Sequence, residues 1–421
     1  MSPTLNNLLQ KIDSYHNEAI ALQKQMTAIP ALSPENGGDG EKIKSEFLRA
    51  WLERELRPDD LQEFHAPDDR VSCGFRPNLV ATFNGRSRAK TIWIMSHMDV
   101  VPPGDLSKWT GDPWTVRVEK TKNGRTKLIG RGVEDNQQGL ASSVFAVKAL
   151  RDLNITPEYN LGIVLAADEE TGSLYGADYL LKHHRDLFAP HDLVIIPDAG
   201  DNKGKMIEVA EKSVVWLKFQ TRGIQTHGSV PEKGRNAHKA ASFMVTRMET
   251  LYKKFRRRNA LFHPPISTFE PTKREANVPN VNTIPGEDVL YFDCRVLPDY
   301  KVSEVMKAIR AITREIEKQF KVKITITPQQ NEQAATPTAP DAPVVLAITK
   351  AMRELRRMRT QAVGIGGGTV AAFFRRTGIP AAVWSTMEDT AHSPDEFALV
   401  EHLLNDAKVF AHVFMQDRKS K

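Results

Sequence analysis

The chain has 421 residues, 40% of them hydrophobic and 26% charged, with a net charge of +6 at pH 7 and only two cysteines. That length exceeds one ordinary core and predicts two or three domains, while Cys73 and Cys294 are too few and too isolated for a disulfide framework or a thiolate metal site. No apolar run reaches the roughly 18 residues of a membrane span, and residues 1–10 lack the basic start and apolar centre of a leader peptide, so the expected address is the cytoplasm with no membrane partner.

Residues 5–29 carry apolar side chains at helical spacing and stop before Pro30, and a second helix is predicted over 41–56. The period then changes. Leu79-Val80-Ala81-Thr82-Phe83, an Asn84-Gly85 turn and Thr91-Ile92-Trp93-Ile94-Met95 read as a hairpin leading into a buried strand, which ends at Ser96-His97-Met98-Asp99. A helix over 139–153 follows, then a buried strand over 161–167 ending in Asp168-Glu169-Glu170, and another over 193–196 ending in Pro197-Asp198. This alternation predicts an α/β fold, a mixed and mostly parallel sheet flanked by helices, whose sites collect at the carboxyl ends of strands. Three such ends carry histidine or carboxylate.

From Ser213 the character shifts. Strands over 214–221, 289–297 and 322–327 alternate with helices over 236–255 and 303–320, which reads as a small α+β two-layer insert with its own core. Residues 329–343, rich in Pro, Ala, Thr and Gln, read as the return linker. Helices over 342–358 and 369–376, a strand over 381–385 and a last helix over 399–415 complete the first domain. The domain plan is therefore 1–212 with 329–421 for the catalytic, metal-binding part and 213–328 for the insert.

Imidazole and carboxylate are the ligands that borderline divalent ions accept, and a shared carboxylate lets two ions sit roughly 3.5–4 Å apart. His97 and Asp99 are two apart at a strand end, so Asp99 suits the second imidazole N–H better than it suits a metal. Asp135 lies in Gly130-Arg131-Gly132-Val133-Glu134-Asp135, a tight turn opening a helix, where a carboxylate can bridge two ions. Of the adjacent Glu169 and Glu170, one can bind metal while the other faces the water between the ions. Singly, each acid also reads as a helix cap or salt-bridge partner, and His392 as a surface residue. Together with Asp198 they read as a two-metal hydrolytic site. The basic runs at 253–258 and 353–359 fall on helical patterns beside Glu249 and Glu354 and read as solvated helix faces, so no nucleic-acid partner is expected.

Five segments, Ser96-His97-Met98-Asp99-Val100-Val101-Pro102, Gly130-Arg131-Gly132 to Asp135, Asp168-Glu169-Glu170-Thr171-Gly172-Ser173, Pro197-Asp198-Ala199-Gly200 and Thr390-Ala391-His392-Ser393-Pro394, resemble in order the motifs of the M20 family of dinuclear zinc hydrolases. That family includes succinyl-diaminopimelate desuccinylase, acetylornithine deacetylase, aminoacylase and carboxypeptidase G2-like enzymes. The resemblance implies two Zn2+, with Co2+ as a substitute: His97 and Asp198 on one ion, Glu170 and His392 on the other, Asp135 bridging, Glu169 as general base and Asp99 behind His97. It also implies that the insert is a lid and dimerisation domain making a homodimer, and that His227, in Gln225-Thr226-His227-Gly228-Ser229-Val230-Pro231, steadies the oxyanion.

Asn282, Arg295 and Gly366-Gly367-Gly368-Thr369 resemble the family's substrate-side groups, an arginine being suited to clamp a carboxylate and a glycine-rich turn to bind an anion. Arg295 reads equally well as an ordinary salt-bridge partner on a strand. The glycine run lacks the spacing of a dinucleotide fingerprint. Two departures bear on substrate rather than metal: Asn136-Gln137-Gln138 stands where many relatives carry a lysine, and Val370 where many carry aspartate. The expected activity is metal-dependent hydrolysis of an amide bond in an N-acyl amino acid, of the desuccinylase or deacetylase type, or in a small peptide. Dipeptidase or carboxypeptidase action is the alternative, towards which the resemblance tilts slightly because the family's peptidases tend to carry aspartate at the position of Asp198 where its deacylases carry glutamate. From another class, a non-catalytic metal- or ligand-binding homologue remains.

Overall fold

Strands buried on both faces read as unbroken Val, Ile and Leu rather than as alternation, and the centre of the main sheet is built that way. In the computed structural model, which describes residues 3–416, Ser87–His97, Tyr159–Ala166, Leu193–Asp201 and Ala381–Thr386 lie side by side and parallel. The full order is Asp60–Pro67, Phe75–Phe83, Tyr159–Ala166, Ser87–His97, Leu193–Asp201, Ala381–Thr386, Met206–Glu211, Gln361–Ile365. The first two strands run antiparallel to their neighbours, and Met206–Glu211 runs antiparallel to Ala381–Thr386. The helices Gln137–Asp152, Pro343–Arg356 and Val400–Phe414 pack on the central strands. The mixed α/β class expected from the sequence is the class observed.

The expected hairpin is not formed. Tyr159–Ala166 lies between Phe75–Phe83 and Ser87–His97, antiparallel to the first and parallel to the second. The Asn84-Gly85 turn instead caps the incoming strand: the Gly85 N–H donates to Asn160 Oδ1 at 2.9 Å, and the Arg86 and Ser87 N–H groups donate to the Pro157 and Glu158 carbonyls at 3.0 and 2.8 Å. A Cβ on Gly85 would lie 2.3 Å from the Tyr159 backbone, so only glycine permits that approach. Residues 5–29 likewise form two helices, Pro3–Asp13 and His16–Thr27, and 236–255 breaks into Ala237–Met248 and Thr250–Lys254. The polar edge strand Asp60–Pro67 has no apolar alternation to announce it.

The chain divides into two compact units, one running to Val209 with Thr338–Ala362 and the stretch from Phe373 onward, the other made of Ala210–Pro337 and Val363–Ala372. The second unit is a four-stranded antiparallel sheet in the order Thr268–Arg274, Glu287–Val296, Ser213–Arg222, Lys323–Glu332. Ala237–Met248 and Val302–Phe320 pack on it. Val302, Val305, Ile309, Ile312 and Ile316 recur every three or four residues and are buried, the stripe by which an amphipathic helix covers a sheet. Two differences from the expected domain plan have local causes. Residues 329–332 continue a strand instead of starting the linker, and 363–372 groups with the second unit, where the Gly366 carbonyl accepts from Arg295 Nη1 at 2.8 Å. Among the described residues no helix is long and apolar enough to cross a membrane.

His412, buried in Val400–Phe414, has Nε2 2.9 Å from Glu354 Oε2 and Nδ1 3.2 Å from Gln416 Nε2. A neutral ring satisfies both partners, donating at Nε2 and accepting at Nδ1. Burial holds its pKa below the usual histidine value. The unfolded chain then binds this proton more readily, so the stability His412 contributes is complete above about pH 6.5 and is lost as pH falls below it. In denaturant titrations His412→Gln should therefore be less stable than wild type at pH 8, with the gap narrowing towards pH 5.5. A gap that does not change with pH would contradict a buried neutral ring.

Candidate metal centre

His97 is the last residue of its strand, and the chain turns back on it immediately. Its Nδ1 lies 3.0 Å from the Asp99 carbonyl and 3.4 Å from Asp99 Oδ1, which leaves Nε2 facing Asp135 Oδ1 at 3.0 Å and Asp198 Oδ1 at 3.5 Å. The Asp99 carboxylate also reaches the next strand end, where Oδ1 accepts from the Glu169 N–H and Oδ2 from the Glu170 N–H, both at 3.0 Å. One side chain thus ties the turn carrying both glutamates to the imidazole.

That turn needs a sharp reversal after Tyr159–Ala166, and Asp168 makes it at φ +64°, a conformation that aspartate tolerates better than most side chains. The reversal is held by the Asp168 carboxylate, which accepts from Thr171 Oγ1 and from the Tyr175 N–H, and by Asn78, whose Oδ1 accepts from the Ala167 N–H at 3.1 Å. Glu170 is delivered with Oε2 3.1 Å from His392 Nε2. His392, also at positive φ, lies 3.0 Å from Asp135 Oδ2. Asp135 therefore stands between two imidazoles, one oxygen to each.

Asp198 is inside its strand, not beyond it as expected. The register passes from Ile196 opposite Val383 to Gly200 opposite Ser385, so Pro197, Asp198 and Ala199 bulge out against Trp384 alone. A bulge re-aims a side chain that regular pleating would bury. Asn136 holds the result, Nδ2 donating to Asp198 Oδ1 at 2.6 Å and to the Pro197 carbonyl at 2.7 Å. Gly139 lets the helix come that near, since a Cβ there would lie 2.4 Å from Pro197 O.

Two donor sets result, His97 with Asp135 and Asp198, and Asp135 with Glu170 and His392, the ligand atoms within each lying inside 4.8 Å of one another. Bonds of about 2.0–2.2 Å in a tetrahedral site put ligand atoms roughly 3.4 Å apart, so little movement separates this arrangement from a coordinating one. Glu170 Oε1 is buried with no hydrogen-bond partner, a demand that a cation meets. Burial raises the Glu169, Glu170 and Asp198 carboxyls above their usual range. On Asp135 the two imidazoles outweigh burial and lower it. His97 rises although burial opposes its charge, because Asp198 and Asp135 outweigh burial, and Asp135 with Glu170 raises His392 to about 10. The protons held on these imidazoles are what a pair of divalent ions would replace, the carboxylates staying as ligands.

The remaining expected residues lie in the second unit, in two groups. Thr226–His227 pairs with Thr283–Ile284, and the Gly228 N–H donates to the Asn282 carbonyl at 2.6 Å, so His227 and Asn282 are neighbours. His227 Nδ1 faces Ser229, 2.7 Å from its Oγ. Arg295 meets Gly366, but its Nε and Nη2 are engaged by Asp293 at 2.7 and 2.9 Å, the salt-bridge role that a strand arginine most simply fills. Thr369 Oγ1 donates to Glu211 at 2.7 Å. Asn136, Glu134 and Glu396 escape sequence reading, because nothing in their spacing says that they reach across loops.

Residues 93–416 match the family model described as peptidase family M20/M25/M40. The chain belongs to that family. This M20 chain is 37% identical over 410 residues to an uncharacterised metallohydrolase of Methanocaldococcus jannaschii, covering 94% of this chain and 98% of the relative. It is 26% identical over 365 residues to a succinyl-diaminopimelate desuccinylase of a Sulfurovum species, covering 82% and 93%. Its fold resembles a Staphylococcus aureus tripeptidase structure with a TM-score of 0.75 at 18% identity, covering 95% of this chain and 98% of that one. The M20 chain is thus a metal-dependent enzyme with metallopeptidase or amidohydrolase activity.

Metal analysis of purified variants separates the shared ligand from the unshared one. Asp135→Ala should lose both ions, whereas His392→Ala should retain about one per chain. Equal stoichiometry in the two variants would mean that Asp135 does not bridge.

Proposed function

We propose that this M20 enzyme hydrolyses the amide bond of an N-acyl amino acid or small peptide that carries a free carboxylate, using two Zn2+. The observation that carries this reading is Glu169, a carboxylate beside both donor sets yet a member of neither. The zinc ions would be held by His97, Asp135 and Asp198 and by Asp135, Glu170 and His392, and when bound they lower the pKa of coordinated water towards ~7 and polarise the scissile carbonyl. Glu169 takes the proton of the attacking water and passes it to the leaving nitrogen. Burial, and after it the Asp198 carboxylate, raises the pKa of Glu169, which suits a group that must keep a proton between two transfers. Asp99 keeps base and ligand in step by holding both backbone N–H groups.

On the substrate side, Arg295 is the cation we assign to the substrate carboxylate, with Asn282 and the Gly366–Gly368 turn beside it in role and His227 on the oxyanion. Because Asp293 already engages two of its nitrogens, Arg295 would discriminate by geometry more than by net charge. Deacylase action is favoured by the likeness to a desuccinylase. The dipeptidase or carboxypeptidase reading rests on the resemblance alone, since the family's peptidases tend to carry aspartate at the position of Asp198 where its deacylases carry glutamate.

A panel of N-succinyl, N-acetyl and dipeptide substrates, each with a free or amidated carboxyl terminus, tests both parts. Turnover should need added Zn2+ or Co2+, vanish on chelation and drop at least tenfold on amidation. Full activity in metal-free enzyme would overturn the reading. Glu169→Gln should lower kcat by about 10²–10⁴-fold with two ions still bound, the range for loss of a general acid–base. Turnover that survives this change would remove Glu169 from the role.

A further inference from the structure

Two buried carboxylates that belong to neither donor set are exchanged between the loops that do. Glu396 follows His392 by four residues, yet its oxygens serve the Asp135 turn. Oε2 accepts from Arg131 Nη1 at 2.6 Å and from the Gly132 N–H at 3.0 Å, and Oε1 from the Glu134 and Asp135 N–H groups at 3.0 and 3.1 Å. Glu134, next to Asp135, serves the His392 loop: Oε1 accepts from the Glu388 N–H at 2.5 Å, and Oε2 from the Thr390 N–H at 2.5 Å and from Thr390 Oγ1 at 2.8 Å. Glu134 is 1% exposed and Glu396 is fully buried.

We propose that Glu134 and Glu396 are positioning residues that lock the Asp135 turn and the His392 loop to each other and so set the ion position shared by Asp135, Glu170 and His392. Both loops are irregular backbone, and each would otherwise hold buried N–H groups without acceptors. The reciprocal placement means that neither loop reaches its working shape alone. The two carboxylates are not equivalent. Glu134 fixes only the loop of the unshared ligand His392, whereas Glu396 fixes the turn of the shared ligand Asp135. The inference rests on the two-ion reading, and not on the substrate.

Stepwise titration of metal-free protein with Zn2+ against a competing chelator distinguishes them. Glu134→Gln should weaken one ion at least tenfold and leave the other within about twofold, matching His392→Ala, whereas Glu396→Gln should weaken both. Wild-type affinity for both ions in both folded variants would overturn the proposal, as would an identical loss of both ions in each. Where a glutamine variant does not fold, Thr390→Val removes one donor to Glu134 and leaves both carboxylates in place. It should weaken the same single ion severalfold, and unchanged binding in it counts against the latch. Wild-type protein that binds two ions but cleaves no amide would end the hydrolase reading while leaving these affinities to decide the latch on their own.

Discussion

Carboxylates brought together out of water repel one another and lose hydration, and the first unit is organised around that cost. Asp99, Asp135, Glu169, Glu170 and Asp198 converge on the imidazoles of His97 and His392. Backbone N–H groups absorb the charge of Asp99, and Asn136 supports Asp198. Behind them lie buried cations. Arg76 donates through Nε to Glu41 at 2.7 Å, and Glu41 accepts the Asp168 N–H. Lys44 is fully enclosed, and burial pulls its pKa down to about 8 although Asp99 and Glu41 hold it up. What this framework does not neutralise is the charge on the atoms that face the ion positions.

The same constraint explains the local backbone. Ligands on regular strands would point into the sheet or away from it, so each one here sits where regularity stops: His97 at a strand terminus, Glu170 after an αL aspartate, Asp198 on a bulge and His392 at positive φ. Such conformations persist only when their surroundings over-determine them. Asn78, Asn136, Glu134 and Glu396 are those surroundings, all buried and all bonded to main chain.

This division also decides what could be read without coordinates. His97, Glu169, Glu170 and Asp198 were legible because long apolar runs stop at them, and a polar residue ending a buried strand stands out against its context. The sheet class was legible for the same reason. The order of strands was not, since Asn84-Gly85 carries a hairpin signature whose outcome depends on Tyr159 and Asn160, some 75 residues away. Asp60–Pro67 has no periodicity because it is a polar edge. Glu134 and Glu396 could not be paired because loop-to-loop bonds leave no period at all, and their separation of 262 residues hides them further.

The glutamines that follow Asp135 have a physical reading in the same terms. Gln137 Oε1 accepts from Thr27 Oγ1 at 2.9 Å, and Gln138 Nε2 donates to the Thr386 carbonyl at 2.6 Å. Both amides are turned into the protein and engaged with neutral partners, so this stretch adds no positive charge beside Asp135. With glutamines the helix start is neutral, and compensation of Asp135 falls to the two imidazoles and whatever ions they share with it.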